Sequence, residues 1–279
     1  MSTCSGNCST CSSDCKDRKP QTLTPNEFSS IKKIYAVVSG KGGVGKSSVT
    51  CMLASAMQAR GKQTAVLDAD ITGPSVPKMF GLHNRAEAGA AGILPAVSKT
   101  GVRVMSINLL LESEDAPVVW RGPVISGAIQ QFFTEVAWGD VDYLFVDMPP
   151  GTGDVPLTVF QSLKVDGVIV VTTPQDLVGL IVKKAVTMAN MMNVPVVGIV
   201  ENMSVFTCPD CGKQHRIFGE STAKAAAESL GTQVIASLPI DPRTPALADK
   251  GAIELADTDP LQPVIDLLLK DEAAAETNE

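Results

Sequence analysis

Ser39-Gly40-Lys41-Gly42-Gly43-Val44-Gly45-Lys46-Ser47-Ser48 decides how the rest of the chain is read. Before it, Ile34–Val38 (IYAVV) reads as a short buried strand. After it, residues Ser47 to Arg60 carry Val49, Met52, Leu53, Ala56 and Met57 on one helical face, with Gly61 as the stop. A G-x-x-x-x-G-K-S/T pattern between a strand and a helix is a phosphate-binding loop. Its glycines let backbone N–H groups of residues 40 to 48 approach phosphate oxygens without a Cβ in the way. The helix N-terminus adds a favourable dipole. Lys46 is expected at the β- and γ-phosphates, and the Ser47 hydroxyl on Mg2+.

Outward from the loop, further strands are expected at Thr64–Leu67, Val102–Ile107, Tyr143–Val146, Val168–Thr172, Val194–Val200 and Val234–Ser237. Helices are expected at Pro123–Val136, Val178–Met192, Glu220–Leu230 and Leu261–Lys270. The strands are continuous runs of Val, Ile and Leu, as in a parallel sheet covered on both faces. Alternating strands and helices then predict a doubly wound, mostly parallel α/β fold. Residues 31–270 form this domain. Residues 1–30 are rich in Ser, Thr and Cys, have no apolar run, and cannot build a core alone. Residues 271–279 (DEAAAETNE) read as a solvated, disordered acidic tail.

The chain has 279 residues, 23 of them basic and 30 acidic, for a net charge of −7. An acidic chain is a poor footprint for duplex DNA or an anionic membrane, so neither partner is expected. No apolar run approaches the ~18 residues that span a bilayer. The first 20 residues lack the apolar stretch of a secretory signal, so a cytoplasmic location is expected. The seven cysteines are an odd number, which argues against a disulfide framework.

Two acidic segments follow strands. Asp68 and Asp70 come after TAVL, and Asp147 comes after YLFV. A carboxylate at the carboxyl end of a parallel strand faces the ligand crevice. Asp147 is expected to hold the Mg2+ water shell, and Asp68 and Asp70 to orient the ion and the attacking water. The segment Met148–Asp154 (MPPGTGD) has a backbone able to respond to a γ-phosphate. Six cysteines fall into two clusters, and Cys51 reads as a small core residue. Cys208 and Cys211 form a C-x-x-C pair, and two thiolates do not complete a tetrahedral site. Zinc with His215 and a further ligand, a redox couple, and an Fe–S cluster shared by two copies are all open. Cys4, Cys8, Cys11 and Cys15 supply four thiolates within twelve residues. They suit a cluster, zinc, or an unmetallated thiol tail. Met188, Met191 and Met192 read as helix packing and His83 as structural; no chemistry is assigned to Arg121.

The extra lysine of GKGGVGKSS, Lys41, resembles the signature lysine of the deviant Walker A ATPases, which include MinD, ParA and the nitrogenase iron protein. Within that class LDADITGPSVP, WRGPVISGAIQQF, VDMPPGTGD and GIVENMSVFTCPDCG are similar to the Mrp (ApbC-type) iron–sulfur carriers, over roughly residues 31–270. The resemblance implies a homodimer that binds ATP and Mg2+, hydrolyses ATP slowly, and passes a labile [4Fe-4S] cluster to apoprotein clients. It implies that Lys41 reaches the partner subunit's phosphates, that Asp70 positions the hydrolytic water, and that Cys208 and Cys211 hold the bridging cluster. It also implies that Asn202 reads adenine, although a turn-forming Asn serves the bare sequence equally well. Two other functions of the class compete. An ATP-gated electron donor would use the same cysteines. A positioning ATPase of the MinD kind needs a basic amphipathic C-terminal helix, which LLLKDEAAAETNE does not offer, and one of the ParA kind a basic DNA-binding stripe, which a net charge of −7 disfavours.

Overall fold

The computed structural model describes residues 22–71, 73–111, 120, 122–175 and 178–276. In chain order the elements begin with β1 (Ser29–Ser39), α1 (Lys46–Gln58), β2 (Thr64–Asp68) and the short α2 (Val76–Met79). Then follow β3 (Ala88–Gly89), β4 (Gly92–Ile93), β5 (Ala96–Val97), β6 (Arg103–Met105), α3 (Gly122–Glu135), β7 (Gly139–Asp147) and α4 (Asp154–Ser162). The remainder comprises β8 (Gly167–Thr172), α5 (Val178–Met191), β9 (Val196–Glu201), β10 (Phe206–Thr207), β11 (Gln214–His215), α6 (Ala223–Ser229), β12 (Val234–Ser237), α7 (Arg243–Asp249) and α8 (Gln262–Glu276).

Eight strands make one sheet in the order β12-β9-β8-β1-β7-β2-β6-β5, parallel except for the β5–β6 edge pair. Along β1, Ile34, Ala36 and Val38 face one core and Tyr35 and Val37 face the other. Both faces are therefore buried, which is why the strand reads as an uninterrupted apolar run. Helices α3, α4 and α5 cover the first face, through residues such as Phe132, Val159 and Val182. Helices α1 and α8 cover the second, through Leu53, Met57, Val264 and Leu268.

The expected strands and helices are present, with shifted ends. β1 and β7 are longer than their apolar segments because their polar starts pair in register, Ser29 with Gly139 and Ser30 with Asp140. The sheet thus begins inside the segment assigned to residues 1–30. Leu23 N–H also donates to Ser162 O at 2.7 Å, docking residue 23 on the end of α4. Helix α4, which is not among the expected helices, contains Pro156. That proline sits in the first turn, where no intrahelical N–H is required.

Two expectations need correcting. The terminal helix does not stop at Lys270 but runs to Glu276, and Glu272 is buried rather than solvated. Its carboxylate accepts from the Tyr143 hydroxyl at 2.7 Å and pairs with Lys62 at 2.7 Å, while Asp271 accepts from Tyr35 at 3.0 Å. The methionines do not pack as one group either: Met188 is buried, whereas Met191 is exposed at the end of α5. Arg121, Cys4, Cys8, Cys11 and Cys15 lie outside the described residues, as do 277–279 of the acidic tail.

Candidate functional site: a phosphate loop and an exposed cysteine hairpin

The chain leaves β1 to build one flank of the sheet with β2 and β6. It then returns through β7 to the other side of β1, where β8, β9 and β12 follow. This reversal opens a crevice at the carboxyl ends of the strands. Gly40 bends the chain out of β1, and Gly43 and Gly45 take φ values of 78° and 79°, left-handed conformations open to glycine. A cavity of about 200 Å³ results, lined by Lys41 through Ser48 together with Asp70 and Pro150. Pro150 belongs to the Met148–Asp154 segment, which is tied to the loop's base by Gly151 N–H donating to Ser39 O at 2.8 Å.

Asp147 is fully buried at the end of β7 and is the hub of the site. It accepts from Lys46 Nζ at 2.7 Å, Ser47 Oγ at 2.6 Å and Thr50 Oγ1 at 2.9 Å. Lys46 is itself buried, so this ion pair lies largely out of water. On the next strand Asp68 stands level with Asp147. Burial, with Asp147 beside it, pushes Asp68 up to about 8. Its oxygens accept from Ser106 Oγ at 3.1 Å, Val76 N–H at 3.3 Å and Asp70 N–H at 3.2 Å. Asp68 therefore fixes the turn that carries Asp70 to the rim of the cavity. Lys41 Nζ donates to Gln175 beyond the end of β8.

A second cavity, of about 380 Å³, shares Gly45 and Ser48 with the first and continues past Asn202, Met203 and Phe218 to Pro239 and Pro242. Asn202 bridges the two. Its Nδ2 donates to Val44 O at 2.9 Å and its Oδ1 accepts from Met203 N–H at 2.9 Å. Asn202 thus ties the phosphate loop to the end of β9, and the same side chain lines the cavity.

Cys208 and Cys211 occupy the tip of the β10–β11 hairpin. Cys208 N–H donates to Lys213 O and Gly212 N–H to Cys208 O, both at 2.9 Å, with Gly212 at φ 69°. This tight turn aims the N–H groups of Cys211 and Asp210 at the Cys208 sulfur. Those two N–H groups, then the Cys211 thiol, hold Cys208 below the ordinary thiol range. Cys211 is exposed and Cys208 half-buried. His215 is exposed on β11, and among the described residues no three His, Cys, Asp or Glu side chains gather into a metal site. The pair therefore presents two thiols without a third ligand from the described chain.

The sequence had singled out Lys41, Lys46, Ser47, Asp68, Asp70 and Asp147, and the structure gathers them around one crevice. It had missed Thr50, Ser106 and Gln175, the partners of Asp147, Asp68 and Lys41. Only Thr50 carried a local signal, standing one helical turn after Lys46.

A mostly parallel sheet with this loop at its switch point, and a lysine in the loop's second position, defines a P-loop NTPase of the ParA and MinD type. A family model described as the ParA, NUBPL iron-transfer P-loop NTPase, matches residues 30–269. The chain belongs to this family. An iron-sulfur cluster carrier protein of Methanocaldococcus jannaschii is 48% identical over 260 residues, covering 90% of each chain. One from Escherichia coli is 45% identical over 222 residues, 79% of this chain and 60% of its own. Among solved structures, a nucleotide-binding protein of Archaeoglobus fulgidus in complex with ADP superposes with a TM-score of 0.75 at 43% identity, covering 83% of this chain and 91% of that one. MinD of Pyrococcus furiosus, at 18% identity and a TM-score of 0.62 over 87% and 99% of the two chains, shares the fold.

Proposed function

We propose that this protein is an ATP-dependent iron–sulfur carrier that holds a labile [4Fe-4S] cluster between two copies of itself and delivers it to apoproteins in the cytoplasm. The observation that carries the reading is the incomplete Cys208–Cys211 hairpin. Cys211, exposed, and Cys208, half-buried with its thiol held below the ordinary range, are half of a four-thiolate set, and a second copy supplies the other half. The cluster is cargo, so an exposed position that a client can reach suits it. Cys4, Cys8, Cys11 and Cys15 supply a second metal-binding set ahead of the ATPase domain.

Nucleotide binding begins as an exchange of charge. Lys46 and Asp147 neutralise each other. With nucleotide bound, Lys46 would pair with the γ-phosphate, and Ser47 and Asp147, backed by Asp68, would hold Mg2+, which would offset the phosphate charge. Neither buried charge is left uncompensated at the end of the exchange, which avoids the several kcal/mol that an orphaned one costs. The 380 Å³ cavity takes the base and ribose, with the Asn202 amide offered to the adenine edge. Asp70, at the cavity rim, orients the water that attacks the γ-phosphorus. A positioning ATPase is disfavoured by α8, whose Val264, Ile265 and Leu268 are spent on the core rather than presented to a membrane.

The test is anaerobic reconstitution with iron and sulfide, followed by transfer to an apoenzyme that requires a [4Fe-4S] cluster. The Cys208→Ala/Cys211→Ala protein is expected to lose about two irons per protomer, half of a shared four-iron cluster, and to transfer none. Transfer at the native rate by this variant would remove the cluster site from the hairpin.

A further inference from the structure

The segment that carries the two cysteines also forms a wall of the cavity beside the phosphate loop. Phe218 lies seven residues beyond Cys211, yet it lines that cavity with Gly45, Ser48, Asn202 and Met203. The residue is 37% exposed, so it is not consumed by the core. The segment's two ends are pinned to the strand tips around the cavity. At the near end, Ser204 N–H and Oγ both donate to Leu238 O at 2.9 Å, and Ile240 N–H donates to Val205 O at 2.8 Å. At the far end, the Ser221 hydroxyl donates to the buried Glu201 carboxylate, next to Asn202.

Between the pins, residues 209–220 are all exposed. A turn gives Phe218 its direction: Gly219 N–H donates to Arg216 O at 3.1 Å, Gly219 is left-handed at φ 85°, and Arg216 pairs with Glu220 at 2.8 Å. A loop fixed at both ends and solvated in its middle responds as a unit to whatever fixes one point of that middle.

We propose that Phe218 is a positioning residue that closes on the base of a bound adenine nucleotide and so restrains the Cys208–Cys211 hairpin of the same protomer. The inference rests on the reading of the two cavities as one nucleotide site. A base in the larger cavity gives the exposed ring an apolar face to cover. Covering the ring fixes residues 216–220, and the cysteine turn five residues upstream loses part of its freedom. Nucleotide and cluster sites then communicate inside one chain, in addition to any route through a dimer.

The test uses the full, reduced, metal-free chain, at a dilution where light scattering gives a monomer. Cys208 and Cys211 are pulse-alkylated with N-ethylmaleimide and read peptide by peptide. MgATP is expected to slow their alkylation several-fold. Magnesium tripolyphosphate, which fills the phosphate loop but not the base cavity, should leave it unchanged. In Phe218→Ala, ATP should bind about tenfold more weakly, as for loss of an aromatic–base contact, with tripolyphosphate affinity unaltered. Alkylation of this variant should ignore saturating MgATP, and Phe218→Leu should recover part of the response.

Native ATP affinity and native protection in Phe218→Ala would overturn the proposal. Equal protection by tripolyphosphate would overturn it too, placing the signal in the phosphate loop. A native protein that bound tripolyphosphate and ATP equally well would remove the base cavity. One that bound neither would sink the nucleotide reading itself.

Discussion

Gly45 has no side chain because Asn202 stands where one would be. A Cβ there would come within 2.3 Å of Asn202 Nδ2, at a backbone φ of 79°. Both faults act together in Gly45→Ala, so the loop must shift or the Asn202–Val44 bond must break. The variant is expected to lose about 1–3 kcal/mol of stability and at least about tenfold in ATP affinity. Thermal melts and calorimetric titration read both, and native values in both would mean that Asn202 does not hold the loop. The glycine was legible as part of a motif, but its packing reason was not, because Asn202 lies 157 residues away in the chain. The same limit hid Ser106 and Gln175. A carboxylate's or lysine's partner is chosen by the sheet order, and a spacing pattern reveals only partners within a turn or two, such as Thr50 after Lys46.

At the scale of elements, α8 was half legible. Its apolar repeat marked the helix, whereas its acidic end read as tail because each partner sits on a distant strand or loop. Glu272 joins the Tyr143 hydroxyl and Lys62 to the helix, and Asp271 takes the Tyr35 hydroxyl. The tyrosine rings stack across β1 and β7 at 6.2 Å, so the carboxylates clamp α8 over an aromatic ladder. Burial alone would raise Glu272, but the bonds from Lys62 and Tyr143 outweigh it and leave the group below its ordinary 4.5. A carboxylate lowered in the folded state stabilises the fold above its unfolded value, and that stability is lost as pH falls through the lowered value. Glu272→Gln is therefore expected to cost about 1–2 kcal/mol at pH 7, with the gap to the native protein narrowing once pH drops below 4.5. Urea unfolding at neutral and acid pH measures the gap. A difference independent of pH would show that the charge on Glu272 is not what anchors α8.

At the scale of the molecule, the alternation of strands and helices announced a parallel sheet, yet the order β12-β9-β8-β1-β7-β2-β6-β5 could not be read from local pattern. That order brings the ends of β1, β2, β7, β8 and β9 to one rim, the face on which the proposed dimer would close. Lys41 sits on it, held by Gln175 beyond β8 rather than buried with Lys46 and Asp147. A lysine at the rim adds little to ATP affinity within one chain, where Lys46 already supplies a buried cation for the phosphates. In the proposed dimer its charge would gain value as the second copy closed over the crevice, excluded water and lowered the local dielectric. Lys41→Ala is therefore expected to bind ATP within about threefold of the native affinity while losing ATP-driven dimerisation and at least about tenfold in hydrolysis rate. Equilibrium titration, light scattering with and without ATP, and phosphate release separate the three effects. If the variant still dimerised with ATP and hydrolysed it at the native rate, Lys41 would act only within its own chain, and the nucleotide would have to reach the proposed cluster site by another path, such as the Phe218 segment. Loss of ATP binding in step with hydrolysis would instead make Lys41 an ordinary phosphate ligand of its own loop.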